Sequence, residues 1–96
     1  MNDALFDWDA ANITHLGEHD IAADEAEDVV LGDSLELGFE KSDDGEDRWS
    51  YVGETSHRRV LQVVITMRGE RIRVVTAFAP TKRDELSYLE YKAEQQ

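Results

Sequence analysis

Three histidines and ten lysines and arginines are the residues of this 96-residue chain that could move a proton or hold an anion. His15 and His19 stand four apart, so they share a face if one helix carries both. Arg71 and Arg73 stand two apart, so they share a face if one strand carries both. An imidazole, with a reference pKa of about 6.5, takes and gives protons near neutrality. A guanidinium offers five donors in a planar fork that suits phosphate oxygens. Each type also has a quieter use. A histidine at a helix end is favoured by the C-terminal dipole. Strand arginines pair across a sheet, here with Glu36, Glu40 or Glu70. His57, in a turn before two arginines, reads as solvated. With no cysteine, disulfides, thiolate nucleophiles and thiolate-bound zinc are excluded. His15 and His19 have metal-ligand spacing but no identified third ligand, so no metal or other cofactor is expected.

Periodicity gives the elements that must position these residues. Two β-branched runs within residues 58–78 flank Arg68-Gly69-Glu70 and predict a β-hairpin. In its second strand Ile72, Val74, Thr76 and Phe78 alternate with Arg71, Arg73, Val75 and Ala77, so the first set is expected in the core. Upstream, Phe6 and Trp8 share one side of a short edge strand. Asp9 is a good N-cap for a helix over residues 10–18 with Ile13 and Leu16 inward. Residues 24–31 predict a second helix, with Ala26, Val29 and Val30 inward and Glu25, Glu27 and Asp28 outward. Residues 34–40 alternate as a half-buried strand, residues 41–47 form a polar loop, and residues 48–53 form the next strand with Trp49 and Tyr51 on one side. Pro80 ends the last strand. Thr81 caps a final helix over residues 82–93, which docks through Leu86, Leu89 and Tyr88 and frays from residue 90. The expected fold is a small α+β domain: an antiparallel four-stranded sheet, two N-terminal helices and one C-terminal helix. One domain is expected over residues 1–96, with its core at about 5–92.

Net charge is −12, which opposes nucleic acid when taken whole. The distribution is uneven. Residues 1–47 hold sixteen Asp/Glu and one Lys; residues 48–96 hold six Asp/Glu and nine Lys/Arg. Such asymmetry can give one face its own potential. The acidic start, Met1-Asn2-Asp3-Ala4, leads into no signal-type segment, and no apolar run approaches the roughly 20 residues that span a bilayer. A cytoplasmic protein without membrane partners is expected.

The order and spacing of several segments resemble the BrnT family of small bacterial toxins. They are Phe6-Asp7-Trp8-Asp9; Asn12, Ile13, His15, Leu16, His19 and Ile21; the run 24–29 opening Asp24-Glu25-Ala26; Arg48-Trp49 and Gly53; the run 69–77 opening Gly69-Glu70-Arg71; and Thr81-Lys82-Arg83-Asp84 with Tyr88. The resemblance covers about residues 6–91. It implies a fold like that of RelE-type ribonucleases, metal-independent cleavage of RNA, and neutralisation by a basic BrnA-like antitoxin, with DNA bound only through that partner. It implies His19 as the proton-transfer residue. Arg71 and Arg73 then stabilise charge on the phosphate, and Arg48, Lys82 and Arg83 contact substrate. The chain departs from the family pattern at Asp20, where Gly is usual, at Phe78, where Arg is usual, and at Asp84, where Glu is usual. Phe78 can stack on a base but cannot neutralise a phosphate. The rival reading is a non-catalytic module whose sheet or basic patch binds an antitoxin-like or regulatory protein.

Overall fold

A computed structural model describes residues 3–95, leaving Met1, Asn2 and Gln96 outside. Helices α1 (Ala10–Gly17) and α2 (Ala23–Leu31) precede strands β1 (Leu35–Glu40), β2 (Arg48–Glu54), β3 (Val60–Arg68) and β4 (Arg71–Phe78), and α3 (Lys82–Glu94) closes the chain. The strands form an antiparallel meander in sequence order. This is the expected α+β layout of four strands, two N-terminal helices and one C-terminal helix. Among the described residues no helix is long and apolar enough to cross a membrane.

The β3–β4 turn needs only two residues. Arg68 pairs with Arg71, and Gly69 between them has φ +63°. Glycine reaches that region without a Cβ clash, and such primed turns match the twist of the flanking strands. One face of the sheet packs Leu61, Val63, Ile65, Val74 and Ala77 against Leu16, Ile21, Ala26 and Val29 of the helical layer. Gly53 lets α2 approach: a Cβ there would lie 2.8 Å from Ser34 Cβ and 3.2 Å from Val29 Cγ1.

The expected parity of β4 fails beyond Val74. Val64 pairs with Thr76, but its neighbour Ile65 pairs with Val74, so Val75 is an extra residue. A bulge of this kind reverses which side chains face the core. Ile72 and Val74 point inward as expected, but Ala77 replaces Thr76 and Phe78 there. Thr76 and Phe78 therefore join Arg71 and Arg73 on the opposite, open face.

The N-terminal segment is tied to β4 by backbone bonds on either side of Ile72, whose N–H donates to the Leu5 carbonyl and whose carbonyl accepts from Asp7 N–H. Only Phe6 forms a ladder bridge, parallel to Ile72, where a short edge strand was expected. Phe6 is fully buried, with Trp8 stacked beside it at 6.2 Å. Asp9 caps α1, accepting from the N–H groups of Ala11 and Asn12, and the Asn12 side chain returns a bond to Asp9 N–H. The inward stripe of α1 is Asn12 and Leu16, not Ile13 and Leu16; Ile13 is exposed. Asn12 Nδ2 donates to the carbonyls of Asp7 (3.0 Å) and Val74 (3.3 Å), so a buried amide fastens α1 along the β4 edge. In α2, Glu27 is buried rather than outward, because its carboxylate accepts the Trp8 indole N–H at 2.7 Å.

Helix α3 crosses the other face, near β1 and β2. It docks through Tyr88, 2% exposed, whose hydroxyl donates to Glu54 at 3.0 Å. Tyr91 and Lys92 bind Asp33 at 2.7 and 3.0 Å, which holds the helix to Glu94 where fraying was expected. Leu86 and Leu89, expected to dock, stand 56% and 47% exposed.

Candidate nucleic-acid interface

Because α3 covers only one end of the sheet's second face, the rest stays open. Two adjoining hollows lie on it, meeting at Arg48 and Val75. The first, about 290 Å³, is lined by Asn12 and His15 from α1, by Arg48 and Arg68, and by Arg73, Val74 and Val75 of β4. The second, about 420 Å³, runs along the strands over Ser50, Gln62, Val64, Thr76 and Phe78, with Phe39 and Glu40 at its rim. The bulge at Val75 builds this trough. It turns Thr76 outward, where the Thr76 hydroxyl meets His15 Nε2 at 2.9 Å.

His15 thus sits at the trough, held on its other side by Glu18, 3.4 Å from Nδ1. A hydroxyl is both donor and acceptor, so Thr76 can bond either the bare or the protonated Nε2. His19, the residue expected to transfer protons, lines neither hollow. Its ring packs edge-on against His15 with centroids 5.3 Å apart, at the end of α1 where Asp20 takes φ +58°. A left-handed residue there is a position that suits Gly. Among the described residues, no group of three or more His, Asp or Glu comes together as a metal site.

The arginines differ in freedom. Arg73 is held by Asp9 in a two-pronged ion pair (3.0 and 3.2 Å) and by Asp7 at 3.5 Å, and its side chain is 14% exposed. The guanidinium, helped by the Asn12 and Ala11 N–H groups, holds the Asp9 carboxyl below its usual value. Hydrogen bonding to Asp9 in turn raises Arg73. Arg71 donates to the Phe6 carbonyl at 2.6 Å and lies 3.9 Å from Asp7, while its buried Nε has no partner. The partners expected for this pair were Glu36, Glu40 or Glu70; they are instead carboxylates sixty-odd residues upstream. Arg68 bonds Glu46 at 3.3 Å. Arg48 alone of the trough's arginines has no side-chain hydrogen bond or ion pair among the described residues, and it lies where the hollows meet. Lys82 and Arg83, on the exposed first turn of α3, line neither hollow. The fold thus gathers Arg48 and Arg73 with His15 and Arg68, sets Arg71 at the N-terminal segment, and leaves His19, Lys82 and Arg83 outside. The contact between His15 and Thr76 is not legible in the sequence, because the bulge that joins them leaves no local signal in a run of β-branched residues.

No curated protein and no solved structure matches this chain significantly. A family model described as the ribonuclease toxin BrnT of type II toxin–antitoxin systems matches residues 8–84. That span takes in α1, α2, all four strands and the first turn of α3, and the chain belongs to the BrnT toxin family.

Proposed function

We propose that this chain is the RNA-cleaving toxin of a type II pair, acting in the cytoplasm without a metal at the His15–Arg48–Arg73 trough. The observation that carries the reading is the convergence of one imidazole and three guanidiniums, with the single carboxylate of Glu46, on one hollow of an otherwise acidic chain. Cleavage proceeds by attack of a ribose 2′-oxygen on the adjacent phosphorus. The new O–P bond forms as the bond to the 5′-oxygen breaks, leaving a 2′,3′-cyclic phosphate and a 5′-hydroxyl. One proton leaves the 2′-hydroxyl and one reaches the 5′-oxygen. His15 is the group at the trough able to move a proton, and Glu18 lies 3.4 Å from its Nδ1. Arg48 meets the phosphate directly, and Arg73, held by Asp7 and Asp9, fixes the wall of the trough beside it. The role expected of His19 moves one helical turn to His15, with His19 as the ring that packs against it. Arg71 becomes an anchor of the N-terminal segment. Lys82 and Arg83 keep at most a contact with RNA beyond the trough.

The family is one of toxins held by antitoxins. We take the partner to be a basic BrnA-like protein, complementary to the −12 charge, through which alone the pair meets DNA. Single-turnover cleavage of RNA by the purified chain, freed of its partner, is the test. His15→Ala should slow cleavage by about 10²–10⁴-fold, and His19→Ala by much less. Equal activity of His15→Ala and the parent would remove His15 from the chemistry. No cleavage by the parent, on free or ribosomal RNA, would favour the non-catalytic module, a reading that the carboxylate-bound state of Arg73 also supports.

A further inference from the structure

The second hollow holds more polar chemistry than the fold uses. Gln62 and Phe78 are directly opposed across β3 and β4, so their side chains stand side by side on the open face. Ser50, Val64 and Thr76 form the next row. The Gln62 amide, the Ser50 hydroxyl and the Arg48 guanidinium line this hollow and have no side-chain hydrogen bond among the described residues. At about 420 Å³ the space falls in the range of small-molecule sites, roughly 300–1,000 Å³.

We propose that this hollow is a pocket for one unstacked adenine of the RNA, with Phe78 as its stacking platform and Gln62 as its reader. The proposal rests on the ribonuclease reading and names what that site selects. A ring laid on Phe78 brings its edge beside Gln62. The amide presents one acceptor and one donor together, which complements the adenine N6–H and N7 pair; guanine offers two acceptors, O6 and N7, on the same edge. Arg48, at the junction with the first hollow, then reaches the phosphate attached to that nucleotide. The Phe78 departure from the family pattern thereby exchanges a charge contact for a base contact.

The test uses the purified full chain and 2′-O-methyl RNA pentamers, which cannot be cleaved by 2′-oxygen attack. Oligo-U is compared with oligo-U carrying a single adenine or a single guanine. The adenine pentamer should bind roughly ten-fold tighter than oligo-U, from the larger purine stack and the Gln62 pair together. Phe78→Ala should erase that difference and Phe78→Trp should keep it. Gln62→Leu should level adenine with guanine while both remain tighter than oligo-U. Absence of any adenine preference in the parent overturns the pocket, as does a preference that survives both Phe78→Ala and Gln62→Leu. Cleavage of the matching 2′-hydroxyl RNAs separates the two readings. Selective binding without cleavage upholds the pocket and sinks the ribonuclease; cleavage with no role for Phe78 or Gln62 does the reverse.

Discussion

At Arg73 a residue that could serve a phosphate already serves two carboxylates. Asp9 caps α1 and Asp7 lies in the segment tied to β4, so the guanidinium joins three parts of the chain. Charge-assisted hydrogen bonds of this kind contribute about 1.5–3 kcal/mol. Arg73→Ala should therefore lower stability to denaturant by about that amount, with activity falling partly through loss of structure. Arg48 makes no side-chain hydrogen bond or ion pair among the described residues and only a weaker attraction to Asp44, so Arg48→Ala should weaken cleavage with stability unchanged within about 0.5 kcal/mol. Equal destabilisation by the two variants would contradict these assignments. Asp20 offers the opposite opportunity. Its φ of +58° suits glycine, so Asp20→Gly should raise the unfolding free energy by about 0.5–1 kcal/mol. A decrease would mean that the aspartate side chain supplies something its backbone position does not reveal.

The elements were largely legible in the sequence, while their faces were not. Alternation and turn residues located all four strands and three helices within a residue or two, because each carries enough periodicity to declare itself. The orientation of β4 past Val74 was hidden, since Val74-Val75-Thr76 reads as unbroken strand and a one-residue bulge changes no local propensity. Long-range polar pairs were equally hidden. Nothing near Arg73 names Asp9, and nothing near Glu27 names Trp8. Helix α3 was misread for a related reason: two leucines outweigh a tyrosine on any apolar scale, yet Tyr88 is the residue that can bury a ring and still satisfy its hydroxyl on Glu54. Tyr88→Ala should accordingly cost about 3–5 kcal/mol, and Leu86→Ser or Leu89→Ser less than about 0.5 kcal/mol, measured by urea unfolding. The tyrosine also sets an alkaline limit. Burial, then Glu54, push its hydroxyl up to about 12 from the ordinary 10. The protonated phenol is thus favoured by folding, so its contribution is complete below pH 10 and is lost as pH rises towards 12. Tyr88→Phe should make that alkaline arm shallower. On the acid side, Asp9 is depressed by Arg73, and Asp33 by Tyr91 and then Lys92. Their contributions are present above about 3.9 and are lost as pH falls through their lower folded values.

For the molecule as a whole, the proposed ribonuclease reading requires a chain of net charge −12 to approach RNA. Its dimensions are 35 × 30 × 24 Å. The reach of its charge, set by salt, decides what an incoming strand feels. At about 0.01 M salt the Debye length is roughly 30 Å, comparable to the protein itself, and the strand meets the full negative total. At about 0.1 M it is roughly 10 Å, and a strand over the open sheet face feels the local charges there: Arg48 foremost, because Arg68 is paired with Glu46 and Arg73 with Asp7 and Asp9. Higher salt then weakens those contacts as it does for any phosphate binder. RNA association should therefore pass through a maximum near 0.1 M, unlike the steady fall expected of a cationic nuclease. Stopped-flow binding of a 2′-O-methyl oligonucleotide from 10 to 500 mM salt, on the order of three Debye regimes, would reveal that maximum. A rate that falls from the lowest salt upward would mean that the basic trough outweighs the net charge even at long range. A rate that only rises would mean that RNA reaches the chain by a route its arginines do not govern.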